Sequence, residues 1–249
     1  MKYFKEFIEL LNDTTWRNNK HFVGYGNPNS SILIIGKECA IDVKSEQYQE
    51  EYLRNFEMWC IEPELEIKNW VENPVRDWSI FHPRAPYYGQ RFAIEKRNKD
   101  NHEIIISGKG GTSSTWYNYQ KLINYIRKQG KLSTSLNTTI DFYNDCFITE
   151  LNESCRVNNK DLNANEKQAT ESNIRNRFDL MIATRPFWSH FKTVILACGP
   201  YADALRTNKE LAYSIFGNAN IISDVDGRKI PQLSYAISDD LLKKIADQV

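Results

Sequence analysis

Apolar and polar positions fall into blocks along the chain, and the blocks differ in period. Residues 3–12 (YFKEFIELLN) place Phe4, Phe7, Ile8 and Leu11 at helical spacing, with Asn12-Asp13 as a stop. GYGNPNSS (24–31) is a turn cluster. The next four residues, Ile32 to Ile35, are all apolar and end at Gly36, which predicts a strand buried on both faces. An acidic helical segment follows from about Ser45 to Glu57. Residues 58–106 are less regular and rich in Trp, Pro and Tyr, and the short run EIIIS closes them. A glycine-rich loop, GKGGTSST, leads into WYNYQKLINYIRKQ. There Trp116, Tyr119, Leu122, Ile123 and Ile126 mark one helix face, and Ser113, Ser114 or Thr115 supplies a cap. CFITEL (Cys146–Leu151) and TVILACG (Thr193–Gly199) predict two more buried strands. Between them lie a polar loop (152–168) and a helical pattern (169–187). PYADALRTN opens another helix with Pro200 in its first turn. Asp226-Gly227 predicts a hairpin turn, and SDDLLKKIADQV a closing helix capped by Ser238.

Strands that are continuous apolar runs and alternate with helices predict an α/β fold. Three layers follow: a mainly parallel central sheet with helices on both faces. No repeat or linker divides the chain, so residues 1–249 are expected to form one domain with an irregular insertion at about 41–106. In such folds ligands gather beyond the carboxyl ends of the strands. The positions that follow the predicted strands are Gly36-Lys37-Glu38-Cys39, Thr149-Glu150-Leu151-Asn152, Gly199-Pro200-Tyr201 and Pro231-Gln232-Leu233-Ser234.

Composition narrows the function classes. Hydrophobic residues form 41% of the 249, enough for a sizeable core, and a charged share of 26% argues against wholesale disorder. Thirty-two basic residues balance 32 acidic ones, which excludes a strongly basic nucleic-acid coat but leaves room for a local basic groove. No apolar run approaches the roughly 18–20 residues of a membrane helix. The N-terminal stretch is amphipathic and acidic, unlike a signal or transit peptide. Five cysteines without a CxxC pair argue against a disulfide framework or a cysteine zinc site and fit a reducing cytoplasm. The four histidines lack metal spacing, which argues against a zinc site. GxSxG and GxxxxGK[ST] are absent, and GYGNPN precedes its strand where a dinucleotide fingerprint would follow it.

Several positions carry candidate chemistry, each with a plainer alternative. Glu38, beside Gly36, can orient or deprotonate a water, or be a capping or salt-bridged carboxylate. Glu150 can accept hydrogen bonds from a base or sugar, or pair with Lys37 or Arg156. The GKGGTSST loop, with Lys109, suits a phosphate at a helix start, or is an ordinary capped loop. Trp59, Trp70, Trp78, Phe81, Tyr87 and Tyr88 crowd one segment, where they can stack on nucleobases or fill a core.

Taken in order, these motifs resemble the uracil-DNA glycosylase superfamily across roughly residues 22–249. ILIIGKECA matches the family's strand and water-orienting loop, with Cys39 in the place of its usual proline. GTSSTWYNYQKLINYI resembles its Ser/Gly-rich loop and helix. FITEL matches the strand that ends in a base-reading Asn, with Glu150 in the Asn place. VILACGPYADAL resembles a further strand and G-x-x-A. Gln232-Leu233-Ser234 stands where the family has a His-Pro-Ser loop. The resemblance implies hydrolysis of the N-glycosidic bond of a damaged or deaminated base in DNA, a reaction that needs no metal or organic cofactor. It gives Glu38 the catalytic water and Gly36, Lys37, Cys39 and Glu150 the base, with an aromatic ring among Trp78, Phe81, Tyr87 and Tyr88. Lys109, Ser113, Ser114, Thr115, Gln232 and Ser234 would hold phosphates. Ionised Glu150 would accept hydrogen bonds only, and Gln232 would not stabilise a departing anionic base as a His does. Both departures also suit a non-cleaving protein that binds a nucleobase or DNA, and a small-molecule nucleoside hydrolase is a third alternative.

Overall fold

Four consecutive apolar side chains cannot face water on either side of a strand, so the run Ile32–Ile35 needs cover on both. The computed structural model provides it. It describes residues 3–45, 47–61, 82–86, 95–97, 104–106, 114–130, 140–156, 162–234 and 237–249. Five strands form the main sheet: β1 (Tyr25–Gly26), β2 (Ile32–Gly36), β5 (Cys146–Glu150), β6 (Thr193–Leu196) and β7 (Asn220–Ile222). Their order is β1-β5-β2-β6-β7, with β1 antiparallel to β5 and every other pairing parallel. Two small hairpins lie outside it: β3 (Glu95–Arg97) with β4 (Ile104–Ile106), and β8 (Asp224–Val225) with β9 (Arg228–Lys229).

The period-2 geometry of strands divides the core into two layers. Ile32 and Ile34 face α4 (Ser114–Ile126) and α9 (Asp239–Ala246), packing among Trp116, Tyr119, Leu122 and Leu242. Leu33 and Ile35 face the opposite layer. That layer is built from α1 (Lys5–Asn12), α2 (Thr14–Asn19), α3 (Asn55–Trp59), α5 (Ala164–Ala183), α6 (Arg185–Trp188), α7 (Asp203–Thr207) and α8 (Lys209–Phe216). The expected α/β architecture with a mainly parallel sheet is present.

Local differences from the sequence expectations have physical causes. On α1 the buried residues are Phe7, Leu10 and Leu11, while Ile8 is turned outward. The turn cluster 24–31 contains β1, because Asn55 takes up its exposed backbone groups. Asn55 Oδ1 accepts from the Val23 and Gly24 amides, and its Nδ2 donates to the Gly24 carbonyl. The acidic segment after residue 45 is a wide π-type turn (Tyr48–Leu53) followed by α3, and it buries Glu51, Tyr52, Phe56 and Trp59. α5 begins at Ala164, inside the predicted polar loop. Asn163 and Glu166 form a capping box there, each side chain bonding the other's backbone N–H. The Asp226-Gly227 hairpin is present with positive φ at both central residues (52° and 72°), and Ser238 caps α9.

Candidate functional site

The parallel pairing of β2 with β5 sets Gly36 opposite Glu150 at the carboxyl ends of both strands. A Cβ at position 36 would stand 2.7 Å from the carboxyl carbon of Glu150, so any larger residue there would push that carboxyl from its place. Beyond this pair lies a cavity of about 130 Å³. The loop after β2 lines it with Lys37, Glu38 and Cys39, β5 with Ile148 and Glu150, and α4 with Thr115, Trp116 and Tyr119. Gln232 and Ser234 close it from the segment before α9. Residues from three of the four predicted post-strand segments therefore share one cavity. The fourth does not line it, though its Tyr201 ring lies 4.7 Å from Lys37 Nζ.

Glu38 is 6% exposed and fully partnered. Its Oε1 pairs with Lys37 Nζ at 3.2 Å and Arg156 Nη1 at 3.6 Å, and its Oε2 accepts from Asn152 Nδ2 at 3.1 Å. Asn152 is itself oriented: its Oδ1 accepts from the Ser154 amide and from Asn173 Nδ2, which turns its amide nitrogen toward Glu38. The two cations expected as partners of Glu150 are thus drawn to Glu38. Glu150 is 5% exposed, and its Oε2 has no hydrogen-bond partner among the described residues. Burial, with a further push from the Glu38 charge, raises its carboxyl to about 8, while Arg177 acts in the opposite sense. At neutral pH Glu150 is therefore protonated and offers one donor as well as acceptor capacity, where the sequence led us to expect an acceptor alone.

Gln232 is also engaged. Its Oε1 accepts from the Lys37 amide at 2.7 Å, and its Nε2 reaches the Glu38 carbonyl at 3.4 Å. It fixes the loop that carries Glu38. The Ser234 carbonyl accepts from Asn118 Nδ2 at 2.6 Å, which ties the same segment to α4.

Cavity residues that the sequence reading did not single out for the site include Tyr25, Glu51, Trp116 and Tyr119. Glu51, 2% exposed, accepts from the Tyr25 hydroxyl at 3.2 Å and from Gln47 Nε2 at 2.6 Å. Tyr25 sits in what the sequence shows as a turn, and nothing in the acidic run 45–57 singles out Glu51 as its buried member. Tyr119 was expected as a core residue. It is 2% exposed and lines the cavity, and its buried hydroxyl has no partner among the described residues. Trp116 forms part of the same wall and stacks on Phe142 with centroids 5.3 Å apart.

Trp78, Phe81, Tyr87, Tyr88, Lys109 and Ser113 lie outside the described residues. Ser114 is described only as the first residue of α4. Trp59 is a core residue packed edge-on against Phe7, and its Nε1 donates to the Gly24 carbonyl. Among the described residues no cluster of His, Cys, Asp and Glu could hold a metal ion, and no helix is long and apolar enough to cross a membrane. No protein-family model, curated protein or solved structure matches this chain.

Proposed function

We propose that the protein hydrolyses the N-glycosidic bond of a damaged or deaminated base in DNA, as a divergent uracil-DNA-glycosylase-like enzyme. One observation carries this reading: Glu38 and Glu150, more than a hundred residues apart in sequence, line the same cavity beside the Trp116 and Tyr119 rings. Its size suits one planar ring, since an apolar cavity of about 150 Å³ holds benzene. A base flipped out of the helix would enter there. Lys37, Arg156 and Asn152 hold the Glu38 carboxylate in the cavity wall, where it would meet a water. That water would attack the sugar C1′ with Glu38 as its proton acceptor. Ser234 and Thr115, at the rim, are the described candidates for contacts to the flanking phosphates.

Strand-cleavage assays on duplexes carrying uracil, hypoxanthine, xanthine or an N-alkylated base test the reading. We expect abasic-site formation from at least one of them, with Glu38→Gln slower by about 10²–10⁴-fold. Absence of product from all of them at enzyme excess counts against it. The dense pairing of Glu38 also favours a second reading, a protein that holds a nucleobase or DNA without cleaving it. Salt-dependent DNA binding with no turnover is its signature.

A further inference from the structure

The acids around the cavity are not equally partnered. Among the described residues three acids line it, Glu38, Glu51 and Glu150, beside two cations, Lys37 and Arg156. Both cations sit on Glu38. Glu51 accepts from the Tyr25 hydroxyl and the Gln47 amide. Glu150 is the odd acid: it lines the cavity, is 5% exposed, and its Oε2, shut in against Gly36, has no hydrogen-bond partner among the described residues. Burying a carboxylate without a counter-charge is costly, so Glu150 holds its proton at neutral pH and would ionise only against a cation. A cation would supply the missing charge. The cavity also has aromatic rings, Tyr25, Trp116 and Tyr119, whose faces attract cations.

We propose that this cavity takes a cationic planar heterocycle of single-ring size, with Glu150 as its counter-ion and the Trp116 and Tyr119 rings as its wall. For the reaction, the proposal rests on the glycosidic reading above and names its substrate class: a base that is positively charged before cleavage, such as an N-alkylated cytosine. Such a base needs no group to stabilise an anion as it departs. The water oxygen bonds to C1′ while the C1′–N bond breaks. The electron pair of that bond goes to the ring nitrogen and cancels the positive charge of the ring. The proton of the water passes to Glu38 and then to solvent.

The groups acting on Glu150 come from every neighbouring element: Glu38 and Cys39 after β2, Tyr25 on β1, Tyr119 on α4, Arg177 on α5 and Cys198 after β6. Glu38 and Arg177 are the charged ones, and they act in opposite directions. With Glu150 protonated up to about pH 8, a cation must displace its proton in order to bind. Cation binding then strengthens as pH rises, and it releases a proton at neutral pH. A neutral amide edge, which uses the O–H of the acid, weakens over the same range.

Calorimetric titration of the full chain with benzamidinium chloride and with benzamide, its neutral counterpart, tests this at pH 7 and 9. Two buffers of different ionisation enthalpy give the proton count. We expect benzamidinium to bind about tenfold more tightly at pH 9 than at pH 7 and to release about one proton at pH 7. Benzamide should move the other way, and Glu150→Gln should abolish both effects. The wild-type pH series stands without the variant if the variant does not fold. Benzamide binding as tightly as benzamidinium at pH 9, absence of proton release, or failure of both probes to bind overturns the cation site.

An oligonucleotide carrying 3-methylcytosine, beside one carrying uracil, tests the substrate class. Excision of 3-methylcytosine supports it. Excision of uracil alone overturns the cationic class and leaves the glycosidic reading standing. Proton-linked cation binding with no excision of any base overturns the glycosidic reading and leaves the cation site.

Discussion

Glu150 shows how one side chain depends on its neighbours for its chemistry. Its sequence context, FITEL, fixes a carboxyl at a strand end, but burial and Glu38 set its protonation. The same shift has a stability consequence. Its folded value, about 8, lies above the ordinary 4.5, so the unfolded chain loses this proton first as pH rises. The contribution of Glu150 is full below about pH 4.5 and falls away up to about pH 8, by roughly 1.4 kcal/mol for each pH unit crossed. Urea unfolding of wild type and Glu150→Gln across this range should show the variant gaining on the wild type by a few kcal/mol between pH 5 and 8. A constant difference between them would show that Glu150 titrates normally. Gly36 was legible as a strand stop. That it is glycine because a carboxylate occupies the place of its Cβ was not, since the two residues meet only through sheet register.

Among elements, legibility followed the strength of the local pattern. β2, β5 and β6 are continuous apolar runs, and their cores stand where the sequence places them. The Ser238 cap and the Asp226-Gly227 turn rest on backbone chemistry carried by one or two residues, and both are present. β1 was not legible. It is two residues long, in a Gly/Asn/Pro context, and its entry is held by Asn55, some thirty residues away. Asn55→Ala would leave the Val23 and Gly24 amides short of an acceptor in a fully buried place. We expect it to cost about 2–3 kcal/mol, measured by denaturant unfolding. A loss under 0.5 kcal/mol would mean that the edge strand holds by β-pairing alone. The start of α5 was missed for a different reason. The helix is polar along most of its length, so apolar spacing located only its second half, although Asn163 and Glu166 stand at capping-box spacing.

For the molecule as a whole, Arg177 joins parts that the sequence does not connect. It is 1% exposed on α5, its Nη2 donates to Thr149 on β5, and its Nη1 pairs with Glu153 at 2.7 Å. Its guanidinium lies 4.8 Å from the Trp16 ring and 5.7 Å from the Trp188 ring. Glu153 in turn holds His21 at 2.9 Å. Arg177→Met should destabilise the fold by about 3 kcal/mol, because it strands a half-buried carboxylate and empties a stacked slot. Adding Glu153→Gln should recover part of that loss in a double-mutant cycle. Equal loss in the single and double variants would assign the whole effect to packing.

The sequence by itself determined the layered α/β architecture, the principal strands and the strand-end segments where chemistry would gather. Those features rest on period, capping and apolar runs, which act over a few residues. Tertiary structure alone decided which acid receives the cations. Lys37 is adjacent to Glu38 in the chain, and the backbone bond from the Arg156 amide to the Cys39 carbonyl brings Arg156 to the same carboxylate. Glu150 is left beside the open cavity without either. Charge pairing and desolvation depend on distance through space, and that distance is set only when the strands align.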